Sequence, residues 1–428
     1  LLGILFLVFI AGCGMAEEVS DVQERATYVH ENILDGLYEN INSLDDLSLL
    51  ITEMSPAEIV LLGESTHGTQ EYYEYRRYIS QELIENYGFD FIVVEGDWNS
   101  IYTLNEYVRG EGEFNSAKEV LATFNRWPEW MWANDEIERL AEWLRVYNEG
   151  REKNDMIGIY GLDVYDAESA LVFLHDSELL DDDTYACLLP FRNDLVEYAQ
   201  YLSQGGISCE AEVVSAFNEI NGRFDVLNDV SYLSLVQNAR VVMNAEKHYR
   251  GMLYQGPISW NERVYHMVAT IQFLREVIGE RAIIWAHNTH VGDARATPMA
   301  QQGMVNMGHL LRENDSLVYA LGFGTYVGEV VAGRQWGGRM EVMSVPPAIV
   351  GSYEHLFMLE GMDKALFLFS SEHENYNTLH ETLSPRGHRA IGVVYNPLNE
   401  QGNYVMTDIM RRYDAFIFMN RTSALTVS

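Results

Sequence analysis

Residues Ile59 to Asp97 read IVLLGESTHGTQEYYEYRRYISQELIENYGFDFIVVEGD, and this stretch decides the fold. Ile59 to Gly63 is a short apolar run that predicts a buried strand. Glu64, Ser65, Thr66, His67 and Gly68 follow it at once. Tyr72, Tyr75, Ile79, Leu83 and Tyr87 then recur three or four residues apart, the spacing of one helical face, and Gly88 is expected to end that helix. Phe91 to Val94 begins a second buried strand that ends in Glu95. A helix that joins two strands in this way makes them parallel, with their C-terminal ends on the edge of the sheet where α/β proteins keep their sites. Glu64, His67 and Glu95 are therefore expected to meet on one edge.

The pattern repeats outward from this unit. Helices are expected at Leu44–Met54, Asn99–Val108 and Asn115–Phe124, and one capped by Asn134-Asp135 runs through Tyr147. A third strand, Met156 to Tyr160, leads into Gly161-Leu162-Asp163. From Ala167 to Ile278 only helical spacing is found, which reads as an all-helical insertion forming a lid or subdomain. Strands resume at Arg281–Ala286, ending in His287-Asn288-Thr289-His290. They continue after a helix at Val305–Arg312 with Leu317–Phe323, with Tyr326–Val331 as an edge hairpin, and with Ala365–Phe369, Ala390–Val394 and Ala415–Phe418. The fold class is α/β, a three-layer core with a mostly parallel or mixed sheet. The expected organisation is an N-terminal leader (1–15), N-terminal helices (16–55), a core made of 56–165 and 280–428, and the insertion 166–279.

The chain of 428 residues is long enough to bury a large core. It carries 64 acidic against 28 basic residues, a net charge of −36, and only four lysines. Phosphate backbones would be repelled, so a nucleic-acid partner is excluded from the expectations. The excess acid is spread along the chain and fits either adaptation to high salt or an ordinary acidic secreted protein. Leu1 to Gly14, LLGILFLVFIAGCG, is too short for a membrane-spanning helix and reads as the apolar part of a signal peptide. Ile10-Ala11-Gly12-Cys13 resembles a bacterial lipobox, which would make Cys13 a lipidation site and the protein an envelope lipoprotein, with the membrane touched through the lipid alone. An ordinary signal peptide on a secreted protein, or a start at Met15, is the alternative. Cys187 and Cys209 are then an even pair in an oxidising compartment, expected as a disulfide rather than two buried thiols.

Several strands end in polar residues: Glu64 and His67, Glu95, Asp163, His287 and His290. Singly, such residues often cap helices; together on one edge they point to a site. Arg76 lies on the same helical stripe as Tyr72, Ile79 and Leu83, where a guanidinium needs a carboxylate, either Glu64 or Glu95. There is no G-x-S-x-G elbow and no plausible nucleophilic cysteine, so the residue set suits acid–base activation of water, with cations stabilising an oxyanion. The same Glu-x-x-His and His-x-x-His sets could instead ligate zinc or manganese. RWPEWMWAND places Trp127, Trp130 and Trp132 close together, and with Trp98 they are candidates for an aromatic wall against a sugar or lactone ring, or for packing the insertion onto the sheet.

The motifs LLGESTHGTQEYYEYRR, FIVVEGDW, IYGLDVY, IIWAHNTHVGDAR and YALGFGTYVG, in this order from Ile59 to Val331, resemble the erythromycin esterase family. The resemblance implies a deep cleft under a helical insertion and hydrolysis of a small-molecule ester or lactone by water without a metal. His67 would be the general base, oriented by Glu64, with Arg76, His287, His290 and Glu95 around the substrate carbonyl or the attacking water. Wider relatives, among them metal-dependent peptidases and haem-binding lipoproteins, supply the competing expectations: a metal-dependent hydrolase, or a non-catalytic envelope protein that binds a polysaccharide, haem or a metal.

Overall fold

The computed structural model describes residues 33–191, 195–227, 229–314, 317–373 and 375–427. The leader, Cys13 and most of the expected first helix lie outside the described residues. Eleven strands run in chain order: β1 (Glu39–Asn40), β2 (Ile59–Leu62), β3 (Phe91–Asp97), β4 (Gly158–Asp163), β5 (Ala282–Trp285), β6 (Val318–Gly333), β7 (Met340–Val345), β8 (Lys364–Leu368), β9 (Arg386–Arg389), β10 (Tyr404–Thr407) and β11 (Ala415–Thr422). Nine form one sheet in the order β1-β8-β11-β6-β2-β5-β3-β4, with β7 beside β6, while β9 and β10 make a separate hairpin. The stretch from β11 to β4 is parallel throughout, and β1, β7 and β8 are antiparallel additions.

The order of connections fixes where a site can form. From β2 the chain passes through the helix Gln70–Tyr87 to β3, beyond β5 on one side. From β5 it passes through the helix Met307–Asn314 to β6, beyond β2 on the other side. Right-handed crossovers in opposite directions lie on opposite faces of a sheet. Accordingly Ile79 and Leu83 pack with Val60, Leu62 and Trp285 on one face, and Met307 and Leu311 pack with Ile59, Leu61 and Ile284 on the other. Beyond the ends of β2 and β5 the connections therefore diverge, the position in which open α/β sheets bind ligands. The helix Gln70–Tyr87 ends as its sequence requires: Gly88 takes the left-handed conformation (φ 69°) and its N–H caps the Leu83 carbonyl.

The described residues of the insertion form helices and their connections between Ala167 and Val277. Its apolar residues Leu171, Val236, Val264 and Met267 belong to the same core as Ile59, Phe91 and Ile284, so sheet and insertion share one hydrophobic interior. Among the described residues no helix is long and apolar enough to cross a membrane.

Three local expectations are corrected. Tyr326–Val331 is not a hairpin arm but the second half of β6, one 16-residue strand. Its glycines mark close approach rather than a turn, since a Cβ on Gly328 would lie 2.2 Å from the Thr422 carbonyl oxygen of β11. Ala390–Val394 is not a sheet strand; it makes single bridges, Ile391 to Thr66 and Val394 to Gly333, just past the β9 strand. The described end of the first expected helix, from Ile33, is a turn and the short β1, which pairs with β8.

Cys187 and Cys209 are joined in a disulfide with a Cα–Cα distance of 5.9 Å, tying the helix Asp182–Leu188 to the start of the helix Glu210–Arg223. Closure of this 22-residue span restricts the unfolded chain, which on loop entropy corresponds to about 3 kcal/mol. Urea unfolding of a Cys187→Ala/Cys209→Ala variant is expected to show a loss of that size, and reductant should shift the wild type in the same direction.

Candidate functional site

The site begins in the loop that leaves β2. The Ser65 carbonyl accepts from Ile391 N–H, and the Gly68 carbonyl accepts from both Val331 and Leu425. Gly68 lies so close to β6 that a Cβ there would sit 2.0 Å from the Val331 oxygen, so only glycine lets this loop settle against the sheet. Within it Glu64 is wholly buried and uses both oxygens: Oε1 is 2.8 Å from His67 Nδ1 and Oε2 is 2.7 Å from Arg76 Nη2. The expected pairing of Arg76 is therefore with Glu64.

The placement of Arg76 corrects the expectation that it lines the centre. It is fully buried, its guanidinium 4.3 Å from the Tyr73 ring centroid and 4.8 Å from that of Trp285, so it supports Glu64 from below. A carboxylate can only accept, so His67 donates Nδ1–H to Glu64 and carries its lone pair on Nε2. That nitrogen has no protein partner among the described residues. Burial disfavours the His67 cation, but the hydrogen bond and charge of Glu64, with the charge of Glu95, outweigh it and raise the imidazole above its ordinary pKa.

The ends of β3, β4 and β5 bring in the second half. Glu95 Oε2 accepts the backbone N–H of His287 at 2.9 Å. Its Oε1 lies 2.9 Å from Arg263 Nη2 and 3.2 Å from His290 Nε2. Asp163 binds the same guanidinium through both oxygens, at 2.9 and 2.6 Å. Burial alone would raise the Glu95 carboxyl; His290, Arg263 and His67 reverse this and hold it well below the usual carboxylate range. Asp163 is likewise lowered against the effect of burial, by Arg263. His290 Nε2 is also 3.3 Å from Arg263 Nη1, so a proton on it is held by Glu95 and, without one, it accepts from the guanidinium. Its ring stacks on Trp260 at 4.8 Å.

His287 completes the centre, its ring 4.8 Å from that of His67. Its Nδ1 lies 2.8 Å from the Thr289 hydroxyl oxygen and receives the Thr289 backbone N–H at 3.3 Å; with the hydroxyl donating as well, the ring proton sits on Nε2. That Nε2 is buried and unpartnered among the described residues. Burial first, then the neighbouring His67 and His290, depress the pKa of His287 far below normal and keep it neutral. The arrangement therefore offers a base, His67 Nε2, beside a neutral N–H donor, with a guanidinium close by.

Arg263 was missed in the sequence. It comes from the insertion helix Ile258–Val277 and reaches Asp163 across 100 positions. A signal existed, because Arg263 shares the buried spacing of Met267, Thr270 and Leu274, the argument that singled out Arg76. Equally unforeseen was a brace behind the histidine turn. Asn288 donates its backbone N–H to the Glu64 carbonyl at 2.8 Å and its side-chain Nδ2 to the Phe323 carbonyl at 2.7 Å and to His388 Nε2 at 3.1 Å. His388 in turn donates Nδ1–H to Glu354 Oε1 at 2.7 Å. Glu354 and His388 are wholly buried.

The tryptophan wall is mostly core. Trp98 stacks on Tyr102 and Tyr160 and donates to Ser234 of the insertion, while Trp130 and Trp132 are buried on the opposite face, Trp132 holding the Glu95 carbonyl. Large flat rings are favoured at such interlayer contacts because they bury much area. Trp127 alone of the four is only half-buried. As for a metal, the oxygens of Glu64 and Glu95 are already bonded to guanidinium, imidazole or backbone N–H groups. Among the described residues no group of three or more His, Cys, Asp or Glu side chains has the arrangement of a metal site. The donor set does not fit a dication.

Comparison with known proteins identifies a family and a fold. The sequence family described as "Erythromycin esterase" matches residues 84–422, beginning after Glu64, His67 and Arg76. Among solved structures, a succinoglycan biosynthesis protein superposes with a TM-score of 0.73 at 20% identity, over 94% of this chain and 99% of its own. A Bacillus cereus protein gives 0.69 at 19% identity, over 92% and 97%. A mutant of the erythromycin esterase EreC in its open conformation gives 0.56 at 16% identity, over 89% and 94%. These structural likenesses establish a shared fold.

The brace yields a stability test. His388→Phe would leave the buried Glu354 carboxylate without its imidazole partner, and urea unfolding is expected to show a loss of about 3 kcal/mol or more.

Proposed function

The chain belongs to the erythromycin esterase family, and from that membership and the geometry of the crevice we propose that it hydrolyses an ester or lactone of a small-molecule substrate with water activated at His67. The observation that carries the reading is the Arg76–Glu64–His67 series, 2.7 and 2.8 Å between successive partners, which leaves Nε2 as the only basic nitrogen of His67.

Water donates a proton to His67 Nε2 as its oxygen adds to the substrate carbonyl carbon. The new imidazolium is stabilised by Glu64, which Arg76 holds in place. The oxyanion is received by the Nε2–H of His287 and by the Arg263 guanidinium, both fixed before the substrate arrives. Collapse of the tetrahedral species breaks the bond to the alkoxide, which takes the proton from His67. The products are a carboxylic acid and an alcohol. His287 suits the donor role because it stays neutral, so it lowers the barrier without competing as a base. Glu95 and Asp163 hold Arg263, and Glu95 also holds the His287 backbone. An extracytoplasmic location with a lipid at Cys13 belongs to the same proposal, supported by the Cys187–Cys209 disulfide, since such bonds persist in oxidising compartments.

Hydrolysis of a panel of lactones and simple esters tests this directly. His67→Ala is expected to reduce kcat/KM by about 10²- to 10⁴-fold, with activity of the wild type unaffected by chelator. Loss of wild-type activity to chelator, or turnover that survives His67→Ala, would overturn the mechanism. The pH profile gives a finer test. His67 acts unprotonated, so kcat/KM should fall as pH drops through its raised pKa, above the ordinary histidine value. In Glu64→Gln the charge that raises it most is lost, only that of Glu95 remains, and burial, which lowers it, persists, so the acid limb should move to lower pH as the rate falls.

A further inference from the structure

Above the catalytic centre the β6–β7 turn carries a second cluster. Trp336 is 55% exposed, yet it meets Trp127 edge-on with 4.8 Å between ring centroids and Tyr165 at 5.9 Å. Trp127 fixes the turn by donating its indole N–H to the Gly338 carbonyl at 2.9 Å. An exposed tryptophan alone means little. Here the polar groups beside it form a set. Arg126 pairs with Asp97 at 2.8 Å, both partly exposed, and its guanidinium lies 5.2 Å from the Tyr165 ring. His248, 4% exposed and with its ring 5.6 Å from Tyr165, donates Nδ1–H to the Ser259 carbonyl at 2.8 Å. Its Nε2 is therefore a buried lone pair, without a partner among the described residues.

We propose that Trp127, Trp336 and Tyr165, with Asp97, Arg126 and His248, form a pyranose-binding subsite for a sugar ring borne by the substrate. The proposal rests on the esterase reading for the word substrate, and on this geometry for the sugar. A pyranose has a face of polarised C–H bonds, which meets the electron-rich face of an aromatic ring, and an edge of hydroxyls that both donate and accept. The rim supplies a counterpart to each: aromatic rings for the face, a guanidinium fork for donation, a carboxylate and a neutral imidazole nitrogen for acceptance. His248 is suited to accept because burial brings its pKa down to about 4. An acyl chain would desolvate the Asp97–Arg126 pair and leave His248 Nε2 without a donor, which is costly. An anion would face Asp97, Asp163 and Asp166, the latter two close enough to raise the Asp97 carboxyl alongside its burial. Tyr165 also lies 4.7 Å from the Arg263 guanidinium, so the subsite is one ring away from the catalytic centre. A sugar seated there is linked to the ester on its acyl or its alcohol side.

Binding can be measured apart from turnover. Methyl pyranosides and disaccharides are titrated into the full-length His67→Ala protein, with saturation-transfer NMR and tryptophan fluorescence as readouts. Saturable binding is expected, weakened about 3- to 10-fold by Trp336→Ala and much less by Trp336→Phe, with unchanged circular dichroism. Absence of binding by every sugar, or equal affinity in Trp336→Ala, overturns the subsite. Sugar binding without turnover of any ester by the wild type would instead retire the esterase reading and leave the subsite standing.

Discussion

The Glu64 carboxylate is the constraint on which the rest turns. It sits at the end of a central strand with no exposure and both oxygens occupied, one by Arg76 and the other by His67, so its place in the core depends on both partners. The same rule governs its neighbours. Glu95 and Asp163 share Arg263, and Asp97 has Arg126. Buried charge without a partner is prohibitive, so each pair fastens one element to another: the helix Gln70–Tyr87 to β2, the insertion to β3 and β4. In a chain with four lysines, every one of these cations is an arginine. A guanidinium keeps its charge when desolvated and offers several donors to carboxylates, whereas an ammonium would tend to lose its proton.

Two imidazoles less than 5 Å apart are driven in opposite directions by this frame. His67 faces Glu64 and is pushed toward the cation; His287 faces two other histidines in a buried setting and is pushed toward neutrality. Divergent tuning of adjacent groups lets one buried cluster hold two imidazoles in different protonation states.

What the sequence disclosed was what the local pattern encodes. An apolar run, a polar loop and a helical stripe sufficed to place Glu64, His67 and Arg76, because strand order and crossover direction leave few topologies. The helical insertion was equally plain from its spacing. Arg263, Glu354 and His388 were not, since each meets its partners through tertiary packing, at separations of 27 to 168 positions. β6 was read as two pieces because Gly322 to Thr325 looks like a corner in isolation. Only the neighbouring β11 reveals why side chains are missing there, through the Phe416 ring against Gly324 and the Thr422 backbone against Gly328. The tryptophans could not be sorted in advance, since indoles serve cores and rims alike.

The insertion has two kinds of connection to the sheet, and they bear on how the protein can diverge. The helix Ile258–Val277 is pinned by Arg263 to two carboxylates and by Trp260 to the histidine turn, so drift there would undo the charge balance of the crevice. The described helices between Ala167 and Arg223 are held by apolar packing, the Cys187–Cys209 disulfide and the pairing of Glu210 with Arg250 of the helix Leu233–Gly251. Lineages of this fold can therefore remodel that outer layer, and with it the shape presented to incoming molecules, while inheriting the hydrolytic core unaltered.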